Sequence, residues 1–293
     1  MPGDAQWAEL LETRVRRPEM VAEAAGLRTQ PKSIVGEDGR LMLVAADHPA
    51  RGALRAGEDP MAMANRRMLI DRLCIALSRP GVDGVLGTAD ILEDLLLLGA
   101  LEGKVVIASM NRGGLAGTTF EIDDRFTAYH AAAVQRMGWQ GGKMLLRIDP
   151  ADPCTVSTLE ACARAVDELA HLRMMAMVEP FISSRVDGRV RNDLSTEAVV
   201  RSCTVAAGLA STSAYTWLKL PVVDGMEQVM SATSLPVLLL GGEVSKDQTG
   251  TFATWRRALS HPTARGLVVG RSLLLPPGGD VAAAVDSAVG LMR

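Results

Sequence analysis

The chain has 293 residues, a net charge of −3, 48% hydrophobic, 3% aromatic and 22% charged residues. This is the composition of a folded, Ala/Leu/Val-rich α/β protein; it excludes a disordered chain and gives no field that would draw nucleic acid or an anionic membrane. The longest apolar runs, Leu95 to Leu101 and Leu235 to Leu240, are far too short to span a bilayer, and Asp4, Glu9 and Glu12 interrupt any secretory signal, so the expected compartment is the cytoplasm.

In chain order, the periodicity predicts an N-terminal helix near 5–25, within an extension covering residues 1–35, followed by eight short β-rich runs. These are Leu41 to Ala46, Gly84 to Gly87, Val105 to Met110, Lys143 to Ile148, Met174 to Val178, Tyr215 to Leu220, Pro236 to Leu240 and Gly266 to Val269. Helical patterns separate them, near 62–79, 90–102, 125–137, 156–171, 195–209, 224–231, 249–259 and 280–292. Side chains suited to N-caps stand at Asp123/Asp124, Ser195 and Asp224. Strands apolar on both faces, alternating with helices, argue for a parallel sheet covered by helices. The expected fold is a single-domain (β/α)8 barrel over residues 1–293, with the extra helix closing its bottom; a doubly wound open sheet is the alternative.

Chemistry in such a barrel sits at the C-terminal ends of the strands, which turns strand ends into a site list. The first strand ends in Asp47-His48-Pro49, with Arg51 beyond. The third ends in Ser109-Met110-Asn111-Arg112, the fourth carries Lys143 with Arg147 on the same face, the fifth ends in Glu179, and the sixth carries Lys219. Lysine is scarce: only Lys32, Lys104, Lys143, Lys219 and Lys246 stand among 31 basic residues. A lysine in a buried strand favours its neutral amine, and a neutral amine in a dry pocket adds to ketones and aldehydes. Each polar residue has a plainer reading: Asp47 as a loop cap, Glu179 as an arginine's partner, Lys143 in a structural ion pair, His48 bonded within its loop, Lys219 snorkelling to solvent. Converging on one mouth, they form an acid/base set around an amine.

The last two strands end in Leu240-Gly241-Gly242 and Val269-Gly270-Arg271. Loops at these positions are the phosphate cradle of the fold, although Gly-Gly is also what a tight βα turn requires. The glycine-rich segment Met110 to Thr119 is read as a mobile substrate loop or a flexible surface stretch. Four cysteines without CxxC spacing and four histidines without HxH or HExxH spacing point to no metal site and a reducing compartment.

Taken together, Ala-Ala-Asp47-His48, Lys143, Glu179, Leu-Lys219-Leu-Pro, Leu-Gly241-Gly242 and Val-Gly270-Arg271 resemble the class I aldolase superfamily, which includes archaeal-type fructose-bisphosphate aldolase, tagatose-bisphosphate aldolase and deoxyribose-phosphate aldolase. The resemblance implies a Schiff base on Lys219, phosphate held by Gly241, Gly242, Gly270 and Arg271, substrate hydroxyls facing Asp47, and proton transfer by Glu179 with electrostatic help from Lys143. His48, Asn111, Arg112 and Arg147 are the other substrate-contact candidates. No metal or organic cofactor is implied; the partners are a phosphorylated small molecule and further copies of the chain. The strand-four tyrosine of the fructose-bisphosphate type is missing, Lys143, Leu145 and Arg147 standing there instead. A similarity to a branch associated with inositol breakdown implies 2-deoxy-5-keto-gluconate 6-phosphate as substrate, cleaved to dihydroxyacetone phosphate and malonate semialdehyde. The alternatives are an acyl-transferring or isomerising relative with the same lysine and phosphate site, and a non-catalytic phosphate-binding barrel.

Overall fold

The computed structural model describes residues 2–292. In chain order the elements are α1 (Asp4–Arg16), α2 (Met20–Leu27), β1 (Leu41–Ala45), a single 3-10 turn (Pro49–Arg51), α3 (Arg66–Ser78), β2 (Gly84–Gly87), α4 (Ala89–Leu97), β3 (Val105–Ser109), α5 (Ala131–Arg136) and β4 (Gly141–Ile148). There follow α6 (Cys154–His171), β5 (Met175–Val186), β6 (Arg189–Asn192), α7 (Thr196–Ala207), β7 (Thr216–Leu220), α8 (Met226–Ser231), β8 (Val237–Leu240), α9 (Gln248–Leu259), β9 (Ala264–Val269), α10 (Arg271–Leu274) and α11 (Val281–Gly290).

The strands run in the order β4-β3-β2-β1-β9-β8-β7-β5-β6, and β4 also pairs with β5. That last pairing closes the eight parallel strands into a barrel and excludes the open doubly wound sheet. β6 stands outside the closure, as the antiparallel return of a hairpin that continues β5 beyond the rim.

Alternation along each strand sorts the side chains into two cores. Leu41, Leu43, Ala45, Leu86, Val105, Ile107, Met175, Met177, Leu238 and Val268 fill the barrel interior. Residues of opposite parity, among them Met42, Val44, Val106, Met144, Ala176 and Leu218, pack outward against Leu73, Ile91, Val134, Leu169, Val199 and Val285 of the helices. The interior parity carried one step further along each strand reaches Asp47, Ser109, Glu179 and Lys219, so the polar residues form the layer directly above an apolar plug.

Several local expectations are corrected. The N-terminal helix is two helices, because Pro18 lacks an amide hydrogen and breaks the pattern after Arg17, the C-cap of α1. The connector after α2, not a helix, reaches the barrel bottom: Ile34 and Val35 pack against the interior cluster, and Arg28 lies over the Trp139 ring while donating to the carbonyls of Leu101, Lys104 and Gly138. The fourth strand begins at Gly141, two residues before the expected start. Its glycines permit close packing, since a Cβ on Gly142 would meet Leu169 Cδ1 at 3.1 Å. The third helix covers only Ala131–Arg136 and is capped by His130, whose Nδ1 accepts from Ala133 N, because Asp124 is drawn inward to pair with Arg51 and is unavailable as a cap. Ser195 caps α7 as expected, whereas α8 follows Gly225 with no side-chain cap from Asp224.

Candidate active site

A cavity of about 760 Å³ opens at the C-terminal ends of the strands, a volume suited to a small-molecule ligand. Its wall includes Asp47, His48, Arg51, Arg112, Lys143, Arg147, Glu179, Lys219, Gly241, Gly242, Gly270 and Arg271. The expected residues therefore converge, apart from Asn111. That side chain is fully buried and spent on backbone: its Nδ2 donates to Leu145 O at 2.6 Å and its Oδ1 accepts from Leu145 N at 2.8 Å, which ties the end of β3 to β4.

Register explains the geometry. Leu145 lies opposite Glu179 and Val178 opposite Leu218, so Glu179 projects inward between Lys143 on β4 and Lys219 on β7. Lys219 Nζ stands 2.9 Å from Glu179 Oε1, and Lys143 Nζ contacts Glu179 Oε2. On its other side Lys143 Nζ lies 3.3 Å from Asp47 Oδ2. Asp47 in turn receives Arg112 Nη2 and, at 3.2 Å, the hydroxyl of Ser109. The result is one chain of contacts, Arg112-Asp47-Lys143-Glu179-Lys219, crossing the floor of the mouth.

Every member of that chain is buried. With all groups ionised, three cations face two carboxylates, and an excess charge in a dry site favours release of one proton. Arginine holds its proton, although burial brings Arg112 down to about 10, so the labile proton belongs to Lys143. Burial, reinforced by the neighbouring charges of Lys219 and Arg112 against the pull of Glu179, moves Lys143 well below the ordinary lysine value. For Glu179 burial works the other way and would raise it, but the ammoniums of Lys143 and Lys219 outweigh burial and hold it well below the ordinary carboxylate range.

His48 sits against the last strand end, close enough that a Cβ on Gly270 would meet its Cε1 at 2.9 Å. Its Nδ1 is buried without a hydrogen-bond partner. Burial, followed by the charges of Arg271 and Lys219, pushes this imidazole well below its ordinary value and keeps it neutral. Gly242, in the loop after β8, adopts φ +66°, the left-handed turn that glycine permits. Arg271 Nη1 lies 2.9 Å from Glu243 Oε1 and 3.3 Å from Arg55 O, so its guanidinium hangs between the loops after β8 and β1.

The segment Met110 to Thr119 is anchored at several points. Arg51 donates to Gly114 O at 2.8 Å, to Asn111 O at 2.7 Å and to Asp124 Oδ2 at 2.5 Å, and Ala116 N donates back to Arg51 O at 2.9 Å. Arg51 is thus a brace of the rim. Sequence reasoning named Ser109 as a strand end but gave it no role, although its inward parity after Val105 and Ile107 marks it as a floor residue; it missed Glu121, which pairs with Arg147 Nη2 at 2.9 Å and lies in a loop without periodic pattern. Among the described residues, no three His, Cys, Asp or Glu side chains form a metal-holding group, and no helix is long and apolar enough to cross a membrane.

Known structures share this barrel. A crystal structure of Cgl0159 from Corynebacterium glutamicum has 53% sequence identity and a TM-score of 0.97, over 100% of this chain and 98% of that one. An archaeal fructose 1,6-bisphosphate aldolase matches with a TM-score of 0.64 at 18% identity, over 93% of this chain and 98% of that one. An archaeal fructose-1,6-bisphosphate aldolase with its catalytic lysine covalently bound to the carbinolamine intermediate matches with a TM-score of 0.65 at 18% identity, over 93% and 99%. At that identity the likeness to the aldolases is one of fold. No curated protein matches the sequence. Residues 39–289 match the family model described as Cgl0159-like, and with the 53% identity over the whole chain this shows that the chain belongs to the Cgl0159-like family.

Proposed function

We propose that the protein is a class I aldolase that cleaves or forms a carbon–carbon bond in a phosphorylated keto-sugar or keto-sugar acid through a Schiff base on Lys219. The observation that carries this reading is the bridge Lys219-Glu179-Lys143: two buried amines on one carboxylate, with more cations than carboxylates around them. A purely structural pair would be satisfied by one lysine.

In this mechanism Glu179 passes the Lys219 proton to Lys143, and the freed amine adds to the ketone. Lys143 returns the proton to the carbinolamine hydroxyl, which leaves as water and gives the iminium. Neutral again, Lys143 takes the proton of the hydroxyl β to the iminium carbon as the carbon–carbon bond breaks; the bonding pair moves to the iminium nitrogen and an aldehyde departs. The same proton then goes to the enamine carbon, and water hydrolyses the product iminium to dihydroxyacetone phosphate and the free lysine. Asp47, held by Arg112 and Ser109, accepts from substrate hydroxyls. Gly241, Gly242, Gly270 and Arg271 hold the phosphate next to the ketone carbon, with neutral His48 beside it.

The resemblance to a branch associated with inositol breakdown makes 2-deoxy-5-keto-gluconate 6-phosphate the first substrate to assay. Purified protein should release dihydroxyacetone phosphate from it, and Lys219→Met should abolish release while keeping the fold. Release by Lys219→Met at the wild-type rate would exclude the Schiff base. Phosphate binding without turnover on any phosphorylated ketose would favour the binding-barrel alternative.

A further inference from the structure

The third strand ends in Ser109-Met110-Asn111-Arg112, and the Arg112 guanidinium returns over Ser109 to the floor of the cavity. Its Nε donates to Ser109 Oγ at 2.8 Å, and its Nη2 contacts both Ser109 Oγ and Asp47 Oδ2. Only 6% of the side chain is exposed, so the guanidinium is committed to the floor.

Three donors, from Arg112, Ser109 and Lys143, converge on Asp47 Oδ2, and they do not hold it equally. Arg112 is in close contact with that oxygen. Lys143 Nζ stands off at 3.3 Å, beyond the length of about 2.8 Å typical of a charge-assisted bond. The close partner of Lys143 is Glu179, and Glu179 also binds Lys219 at 2.9 Å. The remaining charges around Lys143 are matched elsewhere: Arg51 by Asp124 at 2.5 Å and Arg147 by Glu121 at 2.9 Å. His48, whose Nδ1 lies 3.9 Å from Asp47 Oδ1, is neutral. Among the described residues, Asp47 is therefore the one anion left to give Lys143 a counterion of its own, and Arg112 occupies it. Because a guanidinium keeps its proton, that occupation persists across the pH range in which lysines exchange theirs.

We propose that Arg112 is a positioning residue of the reaction rather than a substrate contact: by occupying the Asp47 oxygen to which Lys143 also points, it denies Lys143 a second counterion and keeps that amine free to take a proton. The proposal rests on the aldolase reading for what Lys143 then does. Burial sets the direction, Glu179 opposes it, and the charges of Lys219 and Arg112 reinforce it. Without Arg112, the Asp47 carboxylate would turn wholly to Lys143 and hold it as an ammonium, which takes no proton from Glu179.

One test follows the carbon-bound proton that a base removes to turn the dihydroxyacetone phosphate iminium into its enamine, by proton NMR in deuterated buffer across pH. In that step the C–H proton passes to Lys143, the C–H pair forms the enamine double bond, and the iminium π pair returns to nitrogen. Solvent replaces the proton on Lys143 with a deuteron, which goes back to carbon. Wild-type exchange should fall as acid protonates Lys143. In Arg112→Met the fall should come about one pH unit or more higher, as expected when an opposite charge is released to a buried amine. Arg112→Lys, which keeps the cation, should restore the wild-type profile. A slower rate with an unmoved profile would make Arg112 merely structural and overturn the proposal.

Denaturation from about pH 7 to about pH 10 supplies a second test that needs no substrate. The alkaline stabilisation that separates wild type from Lys143→Met should vanish between Arg112→Met and Arg112→Met/Lys143→Met, and its persistence there overturns the proposal. If Arg112→Met does not fold, Arg112→Gln, which keeps an uncharged donor for Asp47, supplies both comparisons. Exchange absent from wild type as well would count against the aldolase reading alone, and the denaturation curves would still decide the role of Arg112.

Discussion

Glu179 reaches Lys219 at 2.9 Å, and its other oxygen is taken by Lys143. One carboxylate therefore governs both buried amines. It binds both and connects them as a proton path, so its removal should affect stability and turnover together.

Glu179→Gln removes the carboxylate that two buried amines share, and breaking a buried ion pair in this way costs about 3 kcal/mol. Urea denaturation near neutral pH should show that loss. Because folding holds the Glu179 carboxyl below its ordinary value, its stabilisation is complete above the ordinary carboxylate range and disappears as pH falls through the folded value. The gap between wild type and Glu179→Gln should therefore narrow in acid; a gap that widens on acidification would contradict an ionised Glu179.

Lys143 gives a dependence of the same sign in a more alkaline window. Its folded amine binds a proton less readily than the unfolded one, so between the folded value and the ordinary lysine value of 10.5 the unfolded chain carries more protons and stability rises with pH. Denaturation midpoints from about pH 7 to about pH 10 should rise more in wild type than in Lys143→Met. Parallel curves would mean that Lys143 keeps its proton, and the relay to it from Lys219 would fail.

Glu243 is a carboxylate resting on the arginine assigned to phosphate. Glu243→Gln should tighten inorganic phosphate severalfold, because the incoming anion no longer displaces a like charge from Arg271, an exposed ion pair being worth up to about 1 kcal/mol. Weaker phosphate binding in the variant would instead mean that Glu243 presents Arg271 to the ligand.

The parallel sheet was legible because each strand is apolar on both faces and each helix pattern has length to cover it; its closure was not, because βα alternation fits an open doubly wound sheet as well, and the β4–β5 pairing decides between them. The floor of the site was legible for the same reason, since inward parity beneath Asp47, Glu179 and Lys219 is apolar in the sequence. Asn111 misled, because a polar strand-end side chain reads alike whether it faces a ligand or clamps the neighbouring strand through Leu145. The partners of Arg51 and Arg147, Asp124 and Glu121, were not legible, because both come from a loop without periodicity. The β5–β6 hairpin was invisible, because Ser183 to Asn192 is mostly polar and exposed and carries no burial pattern.

Borohydride reduction in the presence of dihydroxyacetone phosphate, followed by peptide mass spectrometry, tests the Schiff base most directly. A reduced triose-phosphate adduct on the peptide carrying Lys219, weakened in Glu179→Gln and absent in Lys219→Met, is the predicted result. An adduct on Lys143 instead, or no adduct while phosphate still binds, would contradict the assignment of Lys219 as the nucleophile.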